Sequence, residues 1–322
     1  MSNAVRRTAL LAMALLLGVG CRDRTEAPEG GQANTGGERD RDAMAEGPIP
    51  LSPALCDDPS RMRELRRSLR GGDEAPGYGE VDPETVRRML AAPTEGPFYM
   101  VNLIKYRERA VYPDGRATDL SGREANALYA PTEFLAAIGA RVVFTAAVDE
   151  QIEGESPLWD DVAIVEYPCP LAFFAMSANP GFKDRLIHKQ AGLETTLVLF
   201  TKLEPAPPGG APEPSAGTHP YAAESPTSVA MHVMRFRDVA RYDDGTNEPR
   251  RSGREAWEIH QASGVSASRG PGVHTTHTFA VQGTLIGDGR EWDEVRLLRT
   301  LGRAGSPALA NDATRQASER HR

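Results

Sequence analysis

Residues 99–115 read YMVNLIKYRERAVYPDG, and residues 229–245 read VAMHVMRFRDVARYDDG. Aligned without a gap, Arg107, Ala110, Tyr112, Asp114 and Gly115 return as Arg237, Ala240, Tyr242, Asp244 and Gly245. Further blocks follow in the same order. Ser121-Gly122-Arg123-Glu124-Ala125 returns as Ser252-Gly253-Arg254-Glu255-Ala256, and Trp159-Asp160-Asp161-Val162 returns as Trp292-Asp293-Glu294-Val295. His188-Lys189 then falls opposite His321-Arg322. The offset drifts only from 130 to 133, as small loop insertions produce. One module is written twice.

The first copy, residues 82–204, has a readable order of elements. Residues 82–92 predict a helix: Asp82 caps it, Pro83 suits its first turn, and Val86, Met89 and Leu90 share a face. Residues 98–106 predict a strand, and residues 124–138 a helix through Leu128, Phe134, Leu135 and Ile138 that Gly139 ends. Strands follow at 141–148 and 161–167. A helix begins at Pro170, is interrupted at Asn179-Pro180 where proline removes a hydrogen bond, and resumes to about Gly192. Residues 195–203 form a last β-branched strand. The pattern is βαββαβ, so the class is α+β and each module is ferredoxin-like. The second copy, residues 228–322, runs βαββα and lacks its last strand, so a neighbouring segment or the first module covers the edge, or the copy is degenerate. Between the copies, residues 205–227 are Pro-rich without apolar period and read as a semi-rigid linker.

The chain has 322 residues, 40% hydrophobic and 25% charged, which is enough for a packed core. Its net charge of −8 argues against a general nucleic-acid binder. At the N-terminus, Arg6 and Arg7 precede an apolar run that ends in Leu17-Gly18-Val19-Gly20-Cys21. The run is too short to span a bilayer and has the layout of a signal peptide over residues 1–20. Its end resembles a bacterial lipobox, with Gly18 where leucine is usual and Cys21 as the lipidated residue. The alternative is a plain secretory signal with an incidental Cys21. Residues 21–53 are Gly- and charge-rich and read as a disordered tether. The expected location is the bacterial envelope, lipid-anchored, at the outer membrane because Arg22 follows Cys21 where a retention signal would place Asp. Export permits Cys56 and Cys169 to pair; two free thiols are the other reading, because sequence gives no distance.

Taken in order, residues 82–107, then Tyr129, Gly139-Ala140-Arg141-Val142, Trp159-Asp160, Tyr167-Pro168 and residues 188–193 (HKQAGL) resemble the bacterial family known as domain of unknown function 1330. The resemblance covers residues 82–204 well and 228–322 more loosely. It implies the dimeric α/β-barrel superfamily, in which two ferredoxin-like units pack sheet against sheet around a pocket. Two units in one chain then imply an intrachain pseudo-dimer. The family has no assigned activity, so fold analogy says little about chemistry.

Alternation along 98–106 puts Val101 and Leu103 on one face, expected to meet the helices, and Asn102, Ile104 and Tyr106 on the other. Asn102 is then expected to point into the inter-sheet cavity, where a buried amide needs a partner or ligand; His232 replaces it in the second copy. His188, beside Lys189, resembles the family's His–Arg or His–Lys pair and is a candidate general base, or else a helix-end histidine bonded to a carbonyl or to Asp160. Tyr129 is a candidate ligand group or a core-edge phenol, with His260 in its place later. Trp159-Asp160 and Trp292-Asp293 survive in both copies and read as structural, the tryptophan closing a barrel end and the aspartate capping or pairing. No metal is expected: His274 and His277 point to opposite faces of a strand, and no His-Glu-x-x-His or Cys-x-x-Cys spacing occurs. No phosphate-binding glycine loop or Gly-x-Ser-x-Gly elbow is present, and no cofactor is expected.

Three functions remain open. The first is an envelope protein binding a small apolar or carbonyl-containing molecule through Asn102, Tyr129, His188 and His232. The second is a cofactor-independent monooxygenase or isomerase with His188 as base and Asn102 polarising a carbonyl. The third is a structural or interaction module without a pocket, which a filled cavity would favour.

Overall fold

The structure, a computed structural model, describes residues 49–68, 77–154, 157–205, 228–240, 250–262 and 273–300. The leader, Cys21, the bulk of the tether, the linker from residue 206, Tyr242 to Gly245 and His321-Arg322 lie outside the described residues. A 3₁₀ turn, Pro53–Asp57, precedes α1 (Arg61–Ser68) and the short β1 (Glu80–Val81). The first copy then runs α2 (Pro83–Ala91), β2 (Phe98–Tyr106), α3 (Gly122–Tyr129), α4 (Thr132–Ala137), β3 (Arg141–Ala147), β4 (Asp161–Tyr167), α5 (Pro170–Ala178), α6 (Pro180–Gly192) and β5 (Leu193–Leu203). The second contributes β6 (Ser228–Met234), α7 (Gly253–Ala262), β7 (Val273–Gly287) and β8 (Glu294–Thr300).

Local chemistry explains most boundaries. Asp82 caps α2 by accepting from the backbone N–H groups of Glu84 and Thr85 at 3.0 and 2.9 Å. Ser121 and Glu124 close a reciprocal capping box on α3. The single helix expected over 124–138 is two helices. Ala130 adopts a positive φ of 24° and Pro131 offers no N–H, so α3 stops at Tyr129 and α4 restarts at Thr132. The break at 179–180 is where the sequence puts it, with the wholly buried Asn179 accepting from Phe182 N at 3.3 Å to start α6.

All strands join one curled antiparallel sheet in the order β3-β4-β2-β5-β7-β8-β6, with β1 beside β7, making a mixed α/β fold. The two copies meet through β5 and β7, from Val198 opposite Ile286 to Leu203 opposite Phe279. Details recur at the spacing of the sequence repeat. Ile104 faces Asp161 as Met234 faces Glu294. An irregularity between Val142 and Phe144 has its counterpart between Thr275 and His277. Asp160 N donates to Ile104 O, and Asp293 N to Met234 O, both at 2.8 Å. Gly122 N donates to Arg107 O at 3.1 Å, and Gly253 N to Arg237 O at 2.8 Å.

Two apolar cores lie on opposite faces of the sheet. Phe98, Met100, Val165, Tyr167, Val198 and Phe200 pack with the helices. Val101, Leu103, Phe144, Val162, Ile164, Leu197 and Leu199 form the other face together with Phe279, Val295 and Leu297 of the second copy. The face assignment expected for β2 is therefore inverted: Val101 and Leu103 face the second copy, and Asn102 lies on the helical side with Met100. A strand with apolar residues on both faces carries no sequence mark of which face is which.

The segment ahead of the first module is part of the helical-side core. Ile49, Leu55, Met62 and Leu65 are buried there, and Cys56 is disulfide-bonded to Cys169 at the start of α5. The packed chain thus begins at or before Ile49, short of the expected tether boundary at Pro53. Four apolar side chains in a proline-punctuated stretch were too sparse to read as core.

Candidate functional site

The C-terminal turns of α6 bring the titratable groups together. This helix packs along α3, close enough that a Cβ on Gly192 would lie 2.3 Å from Gly122 O and 2.9 Å from Asn126 N. Successive residues on a helix point about 100° apart, so His188 and Lys189 reach different neighbours. His188 Nδ1 shares a 2.8 Å hydrogen bond with the hydroxyl of Tyr112, whose ring meets the imidazole edge-on and carries the Arg116 guanidinium over its face at 4.7 Å. Burial, then the charges of Arg116 and Arg185, hold the His188 pKa below its ordinary value. The imidazole is neutral at neutral pH.

Lys189 turns to two aromatic rings. Its Nζ lies 5.4 Å from the ring centroid of Tyr78 and 5.4 Å from that of Tyr129. Tyr78 is 5% exposed, and its carbonyl accepts from Thr196 N at 3.0 Å, fixing the segment that leads into β1. Tyr129 is the last residue of α3 and packs edge-on to Phe182 of α6. Among the described residues no carboxylate pairs with Lys189, and desolvation pushes its pKa down to about 8. Burial raises Tyr78 to about 12 and Tyr129 well above its ordinary value, so both phenols stay protonated.

The expected half-site is not assembled between the sheets. Asn102 donates its amide to Met100 O at 3.1 Å and Ala163 O at 3.4 Å, within the strand layer. His232 faces Arg296 across β6 and β8 and alternates with Met231 and Val233, which pack into the face shared by the two copies; it therefore lies on the opposite face. Tyr129 and His188 belong to the helical layer, and His260 and His274 have side chains outside the described residues. Trp159 and Trp292 both pack against the shared core. Asp160 accepts from Tyr106 N at 2.8 Å and pairs with Lys105 at 3.2 Å, and Asp293 accepts from Phe236 N at 2.6 Å. His277 stacks on Phe279, and among the described residues no three metal-ligating side chains cluster.

Sequence reasoning noticed Lys189 only as the companion of His188 and missed Tyr78 altogether. Tyr78 precedes the repeat and belongs to no periodic segment. The available signal was compositional: four lysines stand among 37 basic residues.

The fold and site thus define a mixed α/β protein with one curled antiparallel sheet and a Lys–Tyr cluster on its helical side. No family model matches the chain, and no curated protein does. It is similar to the crystal structure of methylated RPA0582 protein, at 34% identity over 42% of this chain and 98% of that one, with a TM-score of 0.37. It is also similar to the RPA0582 protein of unknown function from Rhodopseudomonas palustris, at 31% identity over 41% and 99%, with a TM-score of 0.36. Among the described residues no helix is long and apolar enough to cross a membrane.

Proposed function

We propose that this chain is a bacterial envelope lipoprotein, anchored through Cys21, whose two ferredoxin-like modules form an intrachain pseudo-dimer and bind a small carbonyl-containing molecule on the helical side. The order β3-β4-β2-β5 supports a ferredoxin-like first module, since it sets the four strands as second, third, first and fourth. The recurring register supports the same plan in the second. The Cys56–Cys169 disulfide supports export, because such bonds persist in oxidising compartments.

One observation carries the binding reading: a cationic side chain with no carboxylate partner among the described residues lies against two tyrosine rings, beside a histidine bonded to a third. Lys189 is half-buried, and a charge desolvated without a counter-ion is costly, so a ligand that engages it offsets that cost. The test is native mass spectrometry of the full chain, gently extracted from its host and then offered a panel of small aldehydes and ketones. Binding predicts a reproducible added mass on the monomer that Tyr129→Ala weakens. A monomer that takes up nothing would refute the reading.

A second reading is favoured by the filled face between the copies, where Leu103, Leu199, Phe279 and Leu297 pack together. On it the chain is an interaction module, and the adduct-free monomer is its expected result. The oxygenase or isomerase alternative needs Asn102 and His188 to converge on one carbonyl, and the Asn102 amide is spent on two backbone carbonyls.

A further inference from the structure

We propose that Lys189 captures its carbonyl ligand covalently, as a Schiff base, beside Tyr78 and Tyr129. The inference rests on the binding reading above and deepens it by naming the atom and bond.

Three observations converge. The first is the choice of cation. Of the 37 Lys and Arg residues only Lys105, Lys183, Lys189 and Lys202 are lysines. Lys105 is paired with Asp160 and Lys202 with Glu95, and Lys183 has a partner as well. Among the described residues Lys189 meets two rings and no carboxylate. An arginine would sit over aromatic faces at least as well, as Arg116 and Arg123 do over Tyr112 and Tyr106. What arginine cannot do is lose its proton and become a nucleophile.

The second is the environment. Tyr78 and Tyr129 face the amine as protonated phenols, and among the described residues no carboxylate pairs with the ammonium form. Desolvation favours the neutral amine for the same reason. The third is the wall chemistry. Two aromatic rings flank Nζ, which suits a planar, conjugated aldehyde.

The step balances without a redox partner. The Nζ lone pair attacks the carbonyl carbon, and the C=O π pair moves to oxygen, which takes a proton from nitrogen to give the carbinolamine. The hydroxyl then leaves as water, with a proton supplied by solvent or a neighbouring phenol, as C=N forms. Loss of the last nitrogen proton returns the neutral imine. One aldehyde and one amine give one imine and one water.

The experiment uses benzaldehyde as probe on the folded full chain at about pH 8, with cyanoborohydride to trap any imine and peptide mapping to locate it. Lys189 should be benzylated on the order of tenfold to a hundredfold faster than Lys105, Lys183 or Lys202, since a far larger fraction of it is unprotonated at that pH. The preference should vanish in urea, where the four become equivalent. Lys189→Arg should abolish the fast phase, and Lys189→Met, checked by circular dichroism, guards against misfolding. Labelling of Lys189 no faster than the other three in the folded chain would overturn the covalent step. If the native mass spectra still show uptake, only that step has failed; if they show none, the binding reading has failed with it.

Discussion

Reducing the Cys56–Cys169 bond should loosen the first module and the segment ahead of it. The bond closes 113 residues of chain and ties the 3₁₀ turn before α1 to Cys169, which is wholly buried where α5 begins. Loop-closure entropy for that span corresponds to about 4.8 kcal/mol removed from the unfolded state, and measured values for such bonds usually fall at about 2–4. The described part of the chain is about 200 residues, for which 1 kcal/mol moves the midpoint by about 2–4 °C. Cys56→Ala/Cys169→Ala should therefore melt about 4–16 °C below the oxidised protein, and a reductant should bring the wild type to the same place. The assay is a thermal melt by circular dichroism, paired with limited proteolysis. Early cleavage in the reduced form should fall within residues 49–68, whose anchors are Ile49, Leu55, Met62 and Leu65. Oxidised and reduced proteins melting within about 2 °C of each other would refute the reasoning. The arm would then be held by packing alone.

Three further outcomes are expected. Gly122→Ala drives a Cβ to 2.4 Å from Arg107 O and 2.3 Å from Gly192 O, so it should cost on the order of 3 kcal/mol by urea unfolding. Gly253→Ala, which meets only Arg237 backbone from 2.6 Å, should cost less. Because the folded pKa of Lys189 lies near 8, below its unfolded value, the ammonium penalty is full below pH 8 and fades as pH rises towards the unfolded pKa. Lys189→Met should then stabilise the protein by about 1–2 kcal/mol at pH 7 and by nothing near pH 11, read by urea denaturation across pH. His188 is likewise depressed, so its share of stability is present above its unfolded pKa and is lost as pH falls through the lower folded value; Arg116→Ala should raise that folded pKa, seen as an upshifted imidazole titration by NMR.

The candidate site was only half legible. His188 and Tyr129 stood out because they sit in recognisable helices, and the pair His188-Lys189 was visible as a motif. Asn102 was assigned to the wrong face, since β2 buries apolar residues on both sides: Met100 against the helices, Val101 and Leu103 against the second copy. Tyr78 was invisible because its role depends on where the Gly77–Val81 stretch runs once β1 pairs with β7.

What the sequence determined by itself is local and periodic. The duplication was written in Tyr99–Gly115 and its echo, the cap at Asp82 in residue type, and the break at Asn179-Pro180 in the covalent chemistry of proline. Each depends on neighbours a few residues away. Only the tertiary structure decided how the copies join, through β5 beside β7, and that the face between them is filled by side chains. It also decided that Cys56 reaches Cys169 and that an amine rests between Tyr78 and Tyr129. Those contacts link residues far apart in sequence, and strand edges pair and rings meet by complementarity of whole surfaces, for which no short motif exists.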